Sequence, residues 1–287
     1  MSESCIDQKF GRVAFGDDPG SYHATRPGYP EWVFETLRDR CHLAPGTATF
    51  EIGAGTGTAT RRLLDFGANP LRAIEPDTRL AAFLRKSIQD TAVSVNVSAF
   101  EDAAIERARF DLGVSATAFH WLHEDTALVK VAELLRPGGW WAMVWNVFGD
   151  NSRPDPFHEA TKAFLPGPLS PSGGSQDIPF ALDAAARVAA MERTGAFDAI
   201  EFQASVWSLV LDPDQTVALY ATFSNINIRP DRTTILAELG RIARDEFHGR
   251  VTRNMTTSLY IARRRLDRPS RGLSDDSIMG TRRMLAS

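Results

Sequence analysis

Hydrophobic positions along the chain fall into short blocks of two alternating periods. After Pro30, whose missing N–H does no harm in a first helical turn, Trp32, Val33, Phe34 and Leu37 recur at a spacing that builds one apolar helical face. Thr47 to Ile52 then reads as a short buried strand, followed by a glycine-rich turn and a helix through Leu63 and Leu64. Leu71 to Glu75 predicts a second strand, stopped by Pro76 and followed by a helix carrying Leu80, Phe83 and Leu84. Val93, Val95 and Val97 alternate as a third strand, and Leu112 to Ser115 reads as a fourth. Leu128, Val131, Leu134 and Leu135 mark a helix ended by Pro137, Gly138 and Gly139, and Trp140 to Trp145 makes a fifth strand. Strands alternating with helices, without hairpin turns between them, predict right-handed crossovers and a mainly parallel, doubly wound α/β sheet.

From Asn146 to Pro179 the texture changes to prolines, glycines and serines, among them Pro154, Pro156, Pro166, Gly167, Pro168, Gly173 and Gly174. A long irregular insertion in a compact domain is a functional lid or a disordered segment. Phe148, Phe157, Phe164 and Leu165 supply anchors, so a lid over 146–180 is expected. Beyond it the pattern predicts a helix over Leu182 to Arg193, a strand over Ile200 to Leu211 and helices around Thr216 to Phe223 and Thr234 to Phe247. A last strand is expected at Ser258 to Ala262, and residues 264–287 read as a polar, flexible tail.

Composition narrows the class. At 287 residues and 43% hydrophobic content the chain suits one large domain, here 1–263, with residues 1–40 as an N-terminal cover. A formal net charge of −4 argues against a broad polyanion-binding face, so nucleic acid is not an expected partner. Cys5 and Cys41 have neither metal-ligand nor redox spacing, which fits a reducing compartment. The polar opening Met1 to Cys5 lacks the features of a signal peptide, and no apolar run approaches the roughly 18 residues of a membrane span. A cytoplasmic location, without membrane attachment, is the expectation.

The chemistry concentrates at Glu51-Ile52-Gly53-Ala54-Gly55-Thr56-Gly57-Thr58, between a strand and a helix at the carboxyl edge where open α/β sheets bind ligands. A dinucleotide fingerprint would need its third glycine at position 58, which is Thr58; the glycine comes one residue early, at Gly57. Glu51 would place a carboxylate near an ammonium or sulfonium group, an awkward neighbour for a diphosphate. Glu75 closes the second strand, where its two oxygens can accept from both hydroxyls of a ribose. Phe100, Glu101 and Asp102 follow the third strand, where an aromatic can cover an adenine and a carboxylate can accept from its amine.

These segments resemble class I S-adenosylmethionine-dependent methyltransferases. Glu51 to Gly57 looks like their motif I, Ile74-Glu75-Pro76-Asp77 like the following acidic motif and Ser98-Ala99-Phe100-Glu101 like the adenine-side segment. Leu134-Leu135-Arg136-Pro137-Gly138-Gly139 resembles the turn into their fifth strand. Tyr22, Arg26, Pro27, Gly28, Tyr29 and Pro30, with Ala118-Phe119-His120-Trp121, look like the small-molecule branch that includes trans-aconitate methyltransferases. The resemblance covers most of residues 10 to 146 and does not carry a substrate with it. It implies a Rossmann-like sheet of seven strands, the last antiparallel, with S-adenosylmethionine as cofactor and S-adenosylhomocysteine as product. Gly53, Gly55, Glu75, Phe100 and Glu101 are its implied cofactor contacts, with Glu51, Gly57, Pro76 and Ser115 beside them.

Methyl transfer from a sulfonium needs an oriented nucleophile and a water-poor site more than an elaborate catalytic apparatus. His120 follows the fourth strand and is the candidate base or substrate-orienting group; a structural histidine bonded to a backbone carbonyl is the alternative. Trp121, Trp145 and Asn146 are candidate substrate contacts, with core packing as the competing role. Tyr22, Arg26 and Tyr29 can fold over the cofactor, and Arg26 can pair with a carboxylate of methionine or of substrate, or else sit in a surface ion pair. No His/Cys cluster has metal-ligand spacing, so no metal is expected. The expected reaction is methyl transfer to a small molecule, at oxygen before carbon or nitrogen. An RNA or protein methyltransferase, a non-methylating reaction on the same fold and a nicotinamide oxidoreductase are the alternatives.

Overall fold

The computed structural model describes residues 6, 15–148, 150, 152–165, 171–173 and 178–266. A first helix, α1 (Pro19–Thr25), and α2 (Glu31–Cys41) precede β1 (Thr47–Ile52). Then come α3 (Thr58–Asp65), β2 (Ala68–Ile74), α4 (Thr78–Ser87), β3 (Val93–Asn96), β4 (Phe110–Ala116), α5 (Glu124–Leu134) and β5 (Leu135–Phe148). The C-terminal half adds α6 (Pro156–Thr161), α7 (Ala184–Arg193), β6 (Phe197–Leu211), α8 (Pro213–Tyr220), α9 (Ser224–Asn227), α10 (Arg232–Asp245) and β7 (Val251–Arg264). The strands form one seven-stranded sheet in the order β3-β2-β1-β4-β5-β7-β6. Neighbours from β3 to β5 are parallel, and β7 runs antiparallel to both β5 and β6. The expected Rossmann-like topology with an antiparallel last strand is the observed one.

Element boundaries differ from the sequence reading in instructive places. Leu135 opens β5 instead of closing α5, because it pairs with Phe110 before the register shifts and Leu112 meets Trp140. The Pro137-Gly138-Gly139 run is therefore an irregular entry into the strand, with Gly138 at φ 83°, where a proline needs no ladder partner. β6 and β7 are longer than their apolar cores, since antiparallel pairing continues from Phe197–Arg264 to Leu211–Val251. Arg264, expected to start the tail, is still in the ladder; residues 267–287 lie outside the described residues, as do Cys5, Pro166, Gly167, Pro168 and Gly174. No described helix is long and apolar enough to cross a membrane.

The sheet is covered on both faces. Val33, Phe34 and Leu37 of α2 and Leu63 of α3 pack on one face against Leu71, Leu112, Val114 and Ala142. Leu128 and Val131 of α5 and Met191 of α7 pack on the other against Phe50, Trp141 and Met143. Here Phe50, Gly113 and Trp141 lie in one row across β1, β4 and β5. With no side chain on Gly113, the Phe50 and Trp141 rings approach to 6.1 Å with an interplanar angle of 15°. A Cβ on Gly113 would overlap the Phe50 ring, and both aromatics are fully buried. Gly113→Ala is accordingly expected to destabilise the protein by about 1–3 kcal/mol through overpacking. A urea midpoint equal to that of the wild type would contradict this account of the row.

Candidate active site

The carboxyl ends of β1, β2, β4 and β5 open into a cavity of about 750 Å³. Its position, between strands whose connections lead to opposite sides, is the one where this topology leaves a crevice. The floor is the glycine turn. Gly53 N–H and Ala54 N–H donate to the Ile74 carbonyl at 2.8 and 3.2 Å, folding the turn over the end of β2. Gly53 and Gly55 take φ values of 69° and 57°, which side chains rarely adopt, and a Cβ on Gly53 would collide with Ala118.

Glu75 stands where β2 ends, 3% exposed, and lines the cavity with Gly53, Gly55 and Pro76. Its Oε2 accepts from Gly55 N–H at 2.7 Å and its Oε1 from Asp77 N–H at 2.9 Å. Burial pushes the carboxyl up to about 7, while the two backbone donors pull the other way by favouring the ionised form. Phe100 forms a wall nearby, 2% exposed. Lys130 of α5 fixes that turn by donating to the carbonyls of Phe100, Glu101 and Ala103 at 2.7, 2.9 and 2.9 Å.

The other half of the cavity is aromatic. His120, Trp121, Trp145, Asn146, Tyr22 and Arg26 all line it, so the structure brings together most of the expected substrate contacts. Arg26 is held by donation to the Thr222 carbonyl at 2.9 Å and lies over the Tyr22 and Phe223 rings, each at 5.1 Å. Asn146 donates to the Gly28 carbonyl at 3.1 Å and accepts from Thr257 Oγ1 at 2.6 Å, tying the N-terminal segment to β5 and β7. Trp145 Nε1–H donates to His120 Nδ1 at 3.1 Å. Burial, aided by the charge of Arg26, lowers the His120 imidazole to about 3. The expectation of a general base thus meets an obstacle, because the basic nitrogen of the neutral ring is already engaged.

Five expected contacts are not among the lining residues. Glu51 is buried and accepts from Thr60 Oγ1 at 2.6 Å. Ser115 is fully buried and donates to the Ile52 carbonyl at 3.1 Å. Tyr29 shares a 2.7 Å bond with Thr117. Gly57 caps α3 at φ 92°, a left-handed conformation that favours glycine, and a Cβ there would press on Leu84 and Ile88. Glu101 is exposed beside Phe100.

Phe15, Phe180, Tyr220, Phe223, Lys162 and Arg253 line the cavity without having been singled out from the sequence. Phe180 follows Pro179 at the end of the irregular insertion, but no local pattern separates it from the insertion's other anchors. The buried Arg253 of β7 pairs with Asp155 at 2.8 Å and donates to the Tyr220 hydroxyl, and Asp155 caps α6 by accepting from His158 N–H at 2.7 Å. Among the described residues no group of three His, Cys, Asp or Glu could hold a metal ion.

Residues 50–143 match a family model described as a methyltransferase domain. An uncharacterized methyltransferase of Mycobacterium tuberculosis is 31% identical over 134 residues, which is 47% of this chain and 52% of the relative. The chain spans about half the length of the curated relatives it matches. In fold it is similar to Haemonchus contortus phosphoethanolamine N-methyltransferase 2 in complex with phosphomonomethylethanolamine and S-adenosylhomocysteine. That likeness has a TM-score of 0.53 and 16% identity, over 86% of this chain and 57% of the other. The [4+2]-cyclase SpnF is similar as well, with a TM-score of 0.55 and 14% identity over 92% of this chain and 98% of the cyclase.

Glu51 gives the site a signature in stability. Burial lifts its carboxyl from an ordinary value of 4.5 to about 8, with Glu75 adding repulsion and the Thr60 bond opposing both. A carboxyl raised in the folded state contributes stability that is complete below pH 4.5 and is lost as pH rises through about 8. Glu51→Gln should therefore match the wild type at pH 4 and exceed it at pH 9 in urea midpoint. Parallel midpoints for the two proteins across that range would refute the assignment.

Proposed function

We propose that the chain is an S-adenosylmethionine-dependent methyltransferase that methylates a small-molecule acceptor at oxygen. The observation that carries this reading is the Glu75 carboxylate, oriented by two backbone donors at the mouth of β2 and facing a glycine floor. Each of its oxygens retains accepting capacity after those bonds, enough for a pair of ribose hydroxyls. Hydroxyl donors there would also favour the ionised form that burial disfavours. Gly53 and Gly55 leave backbone exposed to the cofactor's amino-acid end, and Phe100 offers a flat surface to its adenine. When bound, S-adenosylmethionine supplies a methyl whose bond to sulfur breaks as the bond to the acceptor oxygen forms, leaving S-adenosylhomocysteine.

The chain's own residues then bind, orient and exclude water. Trp121, Trp145 and Phe180 shape the acceptor half, and Arg26 reaches into it with its charge. Residues 1–40 serve as a cover: within them α1 packs against α4 and α8, so it bridges the two halves of the molecule. Within 146–180, which we read as a lid, the described helix α6 is pinned by the buried Asp155–Arg253 pair. A cavity roofed in this way suits a small acceptor, and the net charge of −4 offers nucleic acid little. The competing reading is a different reaction on the same fold, since the similar SpnF is a cyclase.

Calorimetric titration with S-adenosylmethionine, S-adenosylhomocysteine and NADH tests the cofactor. Both adenosyl ligands should bind in the micromolar range and NADH should not. Glu75→Ala should weaken them by about tenfold to a hundredfold, the scale of a hydrogen bond to a charged group. Binding of NADH alone, or adenosyl binding untouched by Glu75→Ala, would overturn the proposal.

A further inference from the structure

The Trp145–His120 contact restricts what the histidine can do. An indole N–H can only donate, so the His120 nitrogen it meets at 3.1 Å must accept, and in a neutral imidazole the proton then resides on Nε2. Both side chains are buried, at 2% and 5% exposure. Turning the ring over would replace the acceptor with a C–H and leave the indole unpaired. Adding a second proton would set two donors against each other in a buried site beside the Arg26 cation. The ring is held further by Trp121 and Phe180, at centroid distances of 5.1 and 6.3 Å. Arg187 stacks on Phe180 at 3.5 Å and pairs with Glu124 at 2.9 Å, which keeps Phe180 against the cavity.

One donor position and one cation face this side. His120 lines the cavity, and its Nε2 has no hydrogen-bond partner among the described residues. Arg26 lines the cavity on the same side and brings its positive charge there, with Nη2 held by the Thr222 carbonyl at 2.9 Å. Glu75, the carboxylate that lines the cavity, belongs to the opposite, cofactor half.

We propose that Trp145 is a positioning residue that locks His120 as an Nε2–H donor, and that His120 and Arg26 together select an acceptor presenting an anionic oxygen from an apolar body. His120 on this reading orients the nucleophile and takes no proton from it, so the acceptor oxygen enters already ionised. This inference deepens the methyltransferase proposal and rests on it for the word acceptor, but the tautomer lock is testable without any turnover.

Nitrogen-15 NMR of histidine-labelled protein reads the lock, with the His120 signals identified by their loss in His120→Gln. The wild type should show a neutral Nε2–H imidazole between pH 5 and 8. Trp145→Phe should release it to a mixture of tautomers or to protonation within that range. Benzoate, as an aromatic carboxylate probe, should shift the His120 Nε2 signal, whereas benzylamine should not. Affinity for benzoate should fall about tenfold in His120→Ala, the order expected for one lost charge-assisted hydrogen bond, and in Trp145→Phe it should become dependent on pH between 5 and 8 as the released ring titrates. His120→Gln, which carries an N–H to a similar reach, should restore it to within about threefold. An Nδ1–H or cationic His120 in the wild type, or preference for benzylamine, would overturn the inference. Failure of S-adenosylhomocysteine to bind the same samples would instead remove the methyltransferase reading and leave the tautomer result standing.

Discussion

Glu75 must find donors where it stands, because β2 ends inside the molecule and delivers its carboxyl to a buried position. It finds them in the N–H groups of Gly55 and Asp77, and that requirement shapes what surrounds it. The turn after β1 is drawn over β2 by Gly55 and by the bonds of Gly53 and Ala54 to the Ile74 carbonyl. Only glycine accommodates the resulting conformation at 53 and 55 without strain. The floor of the cavity, the N-terminus of α3 and the approach to Ala118 all follow from this clamp. Glu51 and Ser115 support it from behind, buried and bonded to Thr60 and Ile52.

Against that polar floor the molecule sets an aromatic half with a different logic. Its polar groups are few and each is held by a partner that limits its chemistry: Trp145 for His120, Thr222 and two aromatic faces for Arg26, and Asp155 for Arg253. Removing one member of the buried Asp155–Arg253 pair would leave a charge uncompensated, so the pair holds the start of α6 firmly against β7. The division matches a reaction in which one half of the cavity fixes a cofactor and the other fixes the direction of an acceptor. Orientation and exclusion of water then contribute more than proton transfer.

The alternation of strands and helices was legible because each buried parallel strand is a short apolar run bounded by turn residues. Position 58 was informative for the same local reason: a glycine one residue out of place departs from the diphosphate-binding fingerprint. Long-range features left weaker traces. Pairing partners, which are not encoded locally, set the true extents of β6 and β7 and place Leu135 in a strand. Gly57 is conspicuous in the motif, whereas Gly113, which no motif marks, makes room for the Phe50–Trp141 stack. His120 was identifiable as a site residue, but its tautomer depends on Trp145, 25 positions away in sequence. Phe180 and Arg253 reach the cavity only through the fold.

The proposed division of the cavity requires its Glu75 half to take an adenosyl ligand while the aromatic half stays open for the acceptor. A crystal structure of the protein soaked with S-adenosylhomocysteine tests this most directly. The ribose hydroxyls should lie within hydrogen-bond distance of Glu75, the adenine against Phe100 and the amino-acid end over Gly53 and Gly55, with His120 and Arg26 still facing free space. An adenosyl group seated among Trp121, Trp145 and Phe180 instead, with Glu75 uncontacted, would contradict it.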